Sequence, residues 1–354
     1  MTTQSAVANY LKDLLVKFEP YVFSHEEERI AKGDPGRFIV QKLLRKKFRK
    51  QKLHPDTIRD ITNKISQSVK DSKPLHFVIP FGGYKHFWNP SHPYPDWAEL
   101  FTLRFLTEWA APVLVVHKPG VIIEFISEGV ILPRMDNYPD DVIEQYSKGF
   151  AALIGMYKKY VPNTVDIRFF RVEDKYDKKK IVEEVEKLLP QSWDKWNNYS
   201  EAEKAIELKR SRRSLFWDGK EDLTKMSEQQ KERRIIESRL IELAYYGVEA
   251  TPAFLGDYFT RDNHIPICFS YGLSPDNTDH WLTLGSTYAS AVDYWIGRGI
   301  LEERSNGFIN RIVSREQYTR IKNNLRSYRV NLDLLPLKNY ESIEVISEQN
   351  WSNA

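Results

Sequence analysis

The stretch KPLHFVIPFGGYKHFWNPSHPYPDWAELFTLRFLTEW, residues 73–109, decides the fold. Its first half, LHFVIPF (Leu75–Phe81), is short, apolar on both alternating faces, and bounded by Lys-Pro before and Gly-Gly after. That pattern predicts a strand buried on both sides, which belongs in a helix-covered sheet. Its second half, Tyr94–Trp109, predicts a helix. Pro95 and Asp96 suit a first turn, where proline forfeits no hydrogen bond and a carboxylate meets the positive helix end.

Working outward, VLVVHK (from Val113), Pro119-Gly120 and VIIEFI (Val121–Ile126) predict further strand-like segments, Asp140–Tyr160 a helix, and TVDIRFFRV (Thr164–Val172) a strand. Alternation of strand and helix argues for a mainly parallel sheet. Upstream, residues 4–22 and Asp56–Val69 have helical periodicity and GDPG (Gly33–Gly36) reads as a turn. Residues 173–245 are highly charged and helical, with acids and bases interleaved. Downstream, IPICFSYGL (Ile265–Leu273) predicts a strand, and ILEERSNGFINRIVS, with Asn306-Gly307 at its turn, predicts a hairpin after a helix. The expected organisation is a helical cap over 1–72, an α/β core over 73–172, a charged helical insertion over 173–250, and a return to the core with a hairpin over 251–354. The fold class is α/β, Rossmann-like, with a helical N-terminal cap and helical insertions.

The chain has 354 residues, 41% hydrophobic and 29% charged, with 9 Trp, 19 Tyr and 18 Phe, a composition that excludes a mostly disordered chain. The net charge of +3 is too small to indicate a nucleic-acid partner by itself. The single cysteine, Cys268, excludes an intrachain disulfide and a Cys-rich metal site. No apolar run is long enough to span a membrane, and the first twenty residues lack a signal pattern, so a cytoplasmic location is expected.

The richest candidate site is Pro80–Glu99, which begins at the carboxyl end of a predicted strand, the edge where open α/β sheets bind ligands. Gly82 and Gly83 permit close backbone approach, Lys85 supplies a cation, and Tyr84, His86 and Trp88 belong to a run of rings able to wall a pocket. An ordered loop whose glycines serve only a turn is the competing reading. Neither GxxxxGK[ST] nor GxGxxG is present. Asp96 and Glu99 project from one helix face and suit proton transfer or an amine grip; alternatively, Asp96 caps the helix and Glu99 is a first-turn acid. His86 and His92 have no metal-ligand spacing, so no metal is expected.

On these residues the chain resembles the isonitrile (isocyanide) synthase family, related to the enzymes of fungal spore-wall dityrosine synthesis. The resemblance rests on IPFGGYK (Ile79–Lys85), Asn89-Pro90, PDWAE (Pro95–Glu99), Pro119-Gly120, VIIEFI, Ser127-Glu128-Gly129, Pro139-Asp140-Asp141 and Tyr146, and covers under a quarter of the chain. Gly82-Gly83-Tyr84 replaces the family's proline-containing approach to the lysine, and Glu128 replaces its aspartate. The family's Thr-Pro-Trp-His has only Asp279-His280-Trp281 as a distant counterpart. The resemblance implies condensation of an amino acid, typically tyrosine or tryptophan, with ribulose 5-phosphate, without a cofactor. It implies Lys85, Asp96 and Glu99 as catalytic groups. Substrate contacts would come from Gly82, Gly83, Tyr84, His86, Trp88 and Glu128, with Arg134 and Arg168 as spare anion ligands.

A different class of function is nucleic-acid binding. Arg37–Lys52, read as a basic helix with Ile39, Leu43, Leu44 and Phe48 on one face, carries eight Lys and Arg and no acid, Ser211–Phe216 adds a basic spot, and the C-terminal helix and hairpin resemble a winged element. Against it, Glu302 and Glu303 begin the hairpin, which disfavours contact with phosphate.

Overall fold

The computed structural model describes residues 3–49, 52–81, 94–137, 139–208, 225–248, 258, 261, 263–269, 281–285, 297–330, 332 and 338–352. Five strands form the central sheet: β1 (Leu75–Phe81), β2 (Val121–Ser127), β3 (Val165–Arg171), β4 (His264–Cys268) and β5 (Leu282–Thr283). Their order is β3-β2-β1-β4-β5 and every pairing is parallel, as the apolar runs predict. The order reverses direction at β1, so the crevice beyond the carboxyl ends of β1 and β4 is a topological switch point.

Before the sheet come α1 (Thr3–Val16), α2 (His25–Gly33), α3 (Pro35–Leu43) and α4 (Pro55–Lys70). Crossovers α5 (Trp97–Leu114), α6 (Leu132–Asp136) and α7 (Asp140–Tyr157) link β1 to β2 to β3. The long crossover from β3 to β4 carries α8 (Lys178–Asn198) and α9 (Glu228–Tyr245). Phe77, Ile79, Phe125 and Ile167 pack into one core with α5 and α7, while Val78 and Ile126, on the opposite face, pack into a second core with α8 and α9.

Several boundaries differ from the expectations. The valine-rich run from Val113 is not a strand; α5 continues through Pro112 to Leu114. Nearly all of α5 is buried, and that burial outweighs the β preference of two valines. The basic stretch 37–52 is not one helix: α3 ends at Leu43, a single 3-10 turn covers Lys46–Phe48, and Arg49 bridges to Leu284 beside β5. The hairpin, β6 (Arg298–Arg304) and β7 (Gly307–Val313), lies outside the central sheet. With β8 (Arg326–Arg329) and β9 (Ser342–Ser347) it forms a second sheet, order β7-β6-β9-β8. This sheet packs on α5, which explains why that helix is buried all round: it is the layer between two sheets. Two short helices, α10 (Arg315–Ile321) and α11 (Glu348–Ser352), complete the second sheet's surroundings.

Candidate functional site

The carboxyl edge of the central sheet is built from the residues that follow each strand. Gly82, Gly83, Tyr84, Lys85, His86 and Trp88, expected to line the site, lie outside the described residues. The strand that leads to them ends in Phe81, which stacks on Phe150 at 4.2 Å and on Tyr146 at 5.7 Å. The carboxyl end of β1 is therefore packed among aromatic rings.

Asp96 and Glu99 both serve the start of α5. Asp96 Oδ1 accepts from the Ala98 amide at 2.7 Å, and Glu99 Oε2 accepts from the Asp96 amide at 2.8 Å, completing a capping box. Glu99 is buried, and its Oε1 accepts from the Tyr146 hydroxyl at 2.7 Å. Burial and the neighbouring Glu99 and Asp96 charges push the Tyr146 phenol far above its ordinary value, so it remains a donor. The second sheet closes this corner: Trp97 Nε1 donates to the Ser342 carbonyl at 2.8 Å, and Tyr340 Oη to the Asp96 carbonyl at 2.6 Å. These contacts meet the structural alternative for the two acids. They also join two matched motifs, Pro95–Glu99 and Tyr146, in one buried hydrogen bond.

Glu128 directly follows β2 at the same edge, on the side covered by α9. Burial and the charge of Glu242 raise its carboxyl to about 7, opposed by the hydroxyl of Tyr245 beside it. A carboxyl poised near neutrality can both give and take a proton.

Arg134 and Arg168, expected as spare anion ligands, each stand beside a carboxylate. Arg134 stands on α6 and is held by Glu186 and Glu237, the latter at 3.2 Å. Arg168 lies midway along β3, on an exposed face, with Asp166 at 2.6 Å. Both guanidiniums have a carboxylate beside them; Asp166 and Arg168 are two apart on one strand, whereas the partners of Arg134 lie far away in sequence. The basic stretch is likewise partly turned inward: Lys42 is buried against Glu27, and Arg45 reaches the same carboxylate at 3.1 Å. In the hairpin, Glu302 is fully buried between Arg304 and Arg311. The helix expected before it, like Ser211–Phe216, lies outside the described residues.

No family model matches the sequence, and no curated protein matches it. The fold, however, is shared with a solved protein. The crystal structure of PvcA from Pseudomonas aeruginosa superposes with a TM-score of 0.62 at 17% identity, over 88% of this chain and 99% of that one. The likeness covers far more of the chain than the segment that carries the sequence resemblance. The architecture is thus a distant version of the PvcA fold. Among the described residues, no helix is long and apolar enough to cross a membrane.

The sequence reading did not single out Glu173, Glu242 or Tyr245. They reach the edge from the β3 end and from α9, more than forty residues downstream of Glu128. Their only sequence signal is position: Glu173 directly follows the predicted strand Thr164–Val172.

Proposed function

We propose that this chain is an isonitrile-synthase-like biosynthetic enzyme that condenses an amino acid with a sugar phosphate such as ribulose 5-phosphate. The observation that carries the reading is a coincidence of positions. The motifs that resemble the family, Pro95–Glu99, Ser127-Glu128-Gly129 and Tyr146, gather at the carboxyl edge of a sheet whose whole fold is shared with PvcA. That edge is where the topology favours a ligand. In this reading the amine attacks the sugar ketone with loss of water, and later eliminations leave carbon triply bonded to nitrogen. Proton transfer falls to Glu128, whose carboxyl is poised near neutrality, rather than to Glu99, whose oxygens accept bonds from Tyr146 and the Asp96 amide. Asp96 and Glu99 act by holding the helix start in place. Lys85 is the proposed phosphate or carboxylate anchor.

The test is mass spectrometry of the purified protein incubated with ribulose 5-phosphate and, in turn, tyrosine, tryptophan and other amino acids. An isonitrile product is the expected result; its absence across the panel would reject the reaction. A folded Lys85→Ala protein with full activity would remove Lys85 from the mechanism.

A further inference from the structure

Three polar side chains converge at the carboxyl ends of β2 and β3, and two of them lack a partner. Ser127 and Arg171 are register partners, so the residues just beyond them, Glu128 and Glu173, leave neighbouring strands side by side. Their turns, Gly129–Ile131 and Val172–Asp174, pack against each other. Glu173 Oε1 accepts from Arg171 Nε at 2.7 Å, whereas its Oε2 is buried with no hydrogen-bond partner. From α9, Tyr245 enters the same space. Its ring is 2% exposed, its hydroxyl is buried and unpartnered, and the charges of both Glu128 and Glu173 act on it. A buried phenol and a buried carboxylate oxygen each left without a partner cost about 1–3 kcal/mol apiece. Such groups persist where a ligand completes them.

We propose that Glu128, Glu173 and Tyr245 form a subsite for a protonated primary amine. Two carboxylates and a hydroxyl offer three acceptors to the three N–H bonds of an ammonium group, and nothing here suits an anion. The described residues do not bring three His, Cys, Asp or Glu side chains together as a metal ion requires. The surrounding charges are already engaged. Glu242 accepts from Tyr246 at 3.1 Å and pairs with Arg239, which also holds Glu207, while Arg134 on α6 is taken by Glu186 and Glu237. Glu173 pairs with Arg171 through Oε1 alone, so its Oε2 and the Glu128 carboxylate are the acceptors left for a new cation. The inference deepens the reading above by assigning the amino group of the amino acid, and it rests on that reading only for the ligand's identity. It also sets a pH dependence. Glu128 is neutral below about 7 and charged above it, so the ammonium binds more tightly as pH rises through neutrality, by at most about tenfold per pH unit.

The test is calorimetric titration of the full chain at about pH 8, where Glu128 is ionised and a primary amine is still protonated. The probes are tyramine and L-tyrosine, each against desamino-tyrosine. The expected result is that the amines bind at least about tenfold more tightly than desamino-tyrosine. Glu173→Gln and Tyr245→Phe should each weaken the amines by about tenfold, the size of one charged or buried hydrogen bond, and leave desamino-tyrosine unchanged. Equal weakening of all three probes, or no binding of any amine, would overturn the subsite. A fall in wild-type amine affinity between about pH 6 and pH 8 would do so without any variant. Amines that bind through Glu173 and Tyr245 in a protein that makes no isonitrile would instead reject the proposed reaction and leave the subsite standing.

Discussion

At the scale of single residues, two buried titratable groups tie stability to pH with opposite signs. Burial and the charge of Glu242 raise Glu128 to about 7 in the folded chain, while an unfolded glutamate ionises near 4.3. Between those values only the unfolded state releases the proton, so stability falls as pH rises through that window. Glu128→Gln removes this loss. It is expected to stabilise the protein by about 1–3 kcal/mol above pH ~7, read as a higher melting temperature, while lowering activity by at least about 100-fold. His264 behaves the other way. Burial and the nearby His76 ring, 4.2 Å away, depress it to about 4. Between about pH 6.5 and 4 the unfolded imidazole takes up a proton that the folded one refuses, so stability falls as pH falls. His264→Asn should flatten the acid side of a melting-temperature profile, whatever it does to the plateau. An unchanged acid slope would refute the assignment. These environments are not legible in sequence: nothing in the spelling of HIPIC shows a second histidine facing it from β1.

At the scale of elements, the clamp between α5 and α7 makes a sharper claim. The Tyr146 hydroxyl gives Glu99 a buried bond at 2.7 Å, and Tyr146→Phe leaves a carboxylate oxygen short of its donor. The expected cost is about 1–3 kcal/mol, measured by chemical denaturation, with the fold retained. The sequence announced α5's start well, because Pro95, Asp96 and Glu99 are a local signal that the chain obeys locally. It announced β1, β2 and β3 for the same reason: each is a short apolar run between punctuating residues. It misled at Val113–Lys118, where the helix, buried between two sheets, runs on to Leu114 and a turn follows, a fact no local window contains. The second sheet was half legible. Asn306-Gly307 marked its hairpin, but RSYR is polar and β9 is short, so β8 and β9 gave little periodic signal. Of the candidate site, Glu128 was visible only by resemblance. Glu173 and Tyr245 depend on a crossover spanning more than ninety residues, and the carboxylates that hold Arg134 come from helices that only the fold brings near, whereas Arg168 pairs with Asp166 two residues away on the same strand.

At the scale of the whole molecule, one of the contacts that join the two sheets is a particularly close approach. A Cβ on Gly299 would lie 2.5 Å from the Ala98 amide nitrogen and from Trp97 Cβ, against the first turn of α5. Gly299→Ala must therefore move a strand or a helix start. It is expected to cost several kcal/mol, more than ordinary substitutions, and to loosen Asp96, Glu99 and Tyr146 together. Hydrogen exchange would show this as faster exchange along both α5 and β6; exchange changed in β6 alone would mean that the sheets are not coupled through this contact. The same coupling explains how a shared fold with PvcA survives 17% identity: layer packing constrains volume and pattern more than residue identity.

The first helix closes this arrangement from the far end of the chain. Tyr10 donates to Asn310 at 3.1 Å across 300 residues, and Gln4 reaches the Arg329 carbonyl. A ribosome adding roughly 5–20 residues per second needs a quarter of a minute or more to make that span. For all of that time the apolar stripe of Val7, Leu11 and Leu15 can meet α5 but lacks the part of its docking surface that β7 and β8 supply. Until the second sheet is made, the growing chain is open to aggregation along this helix, and shielding of that stripe during synthesis would raise the yield of folded protein.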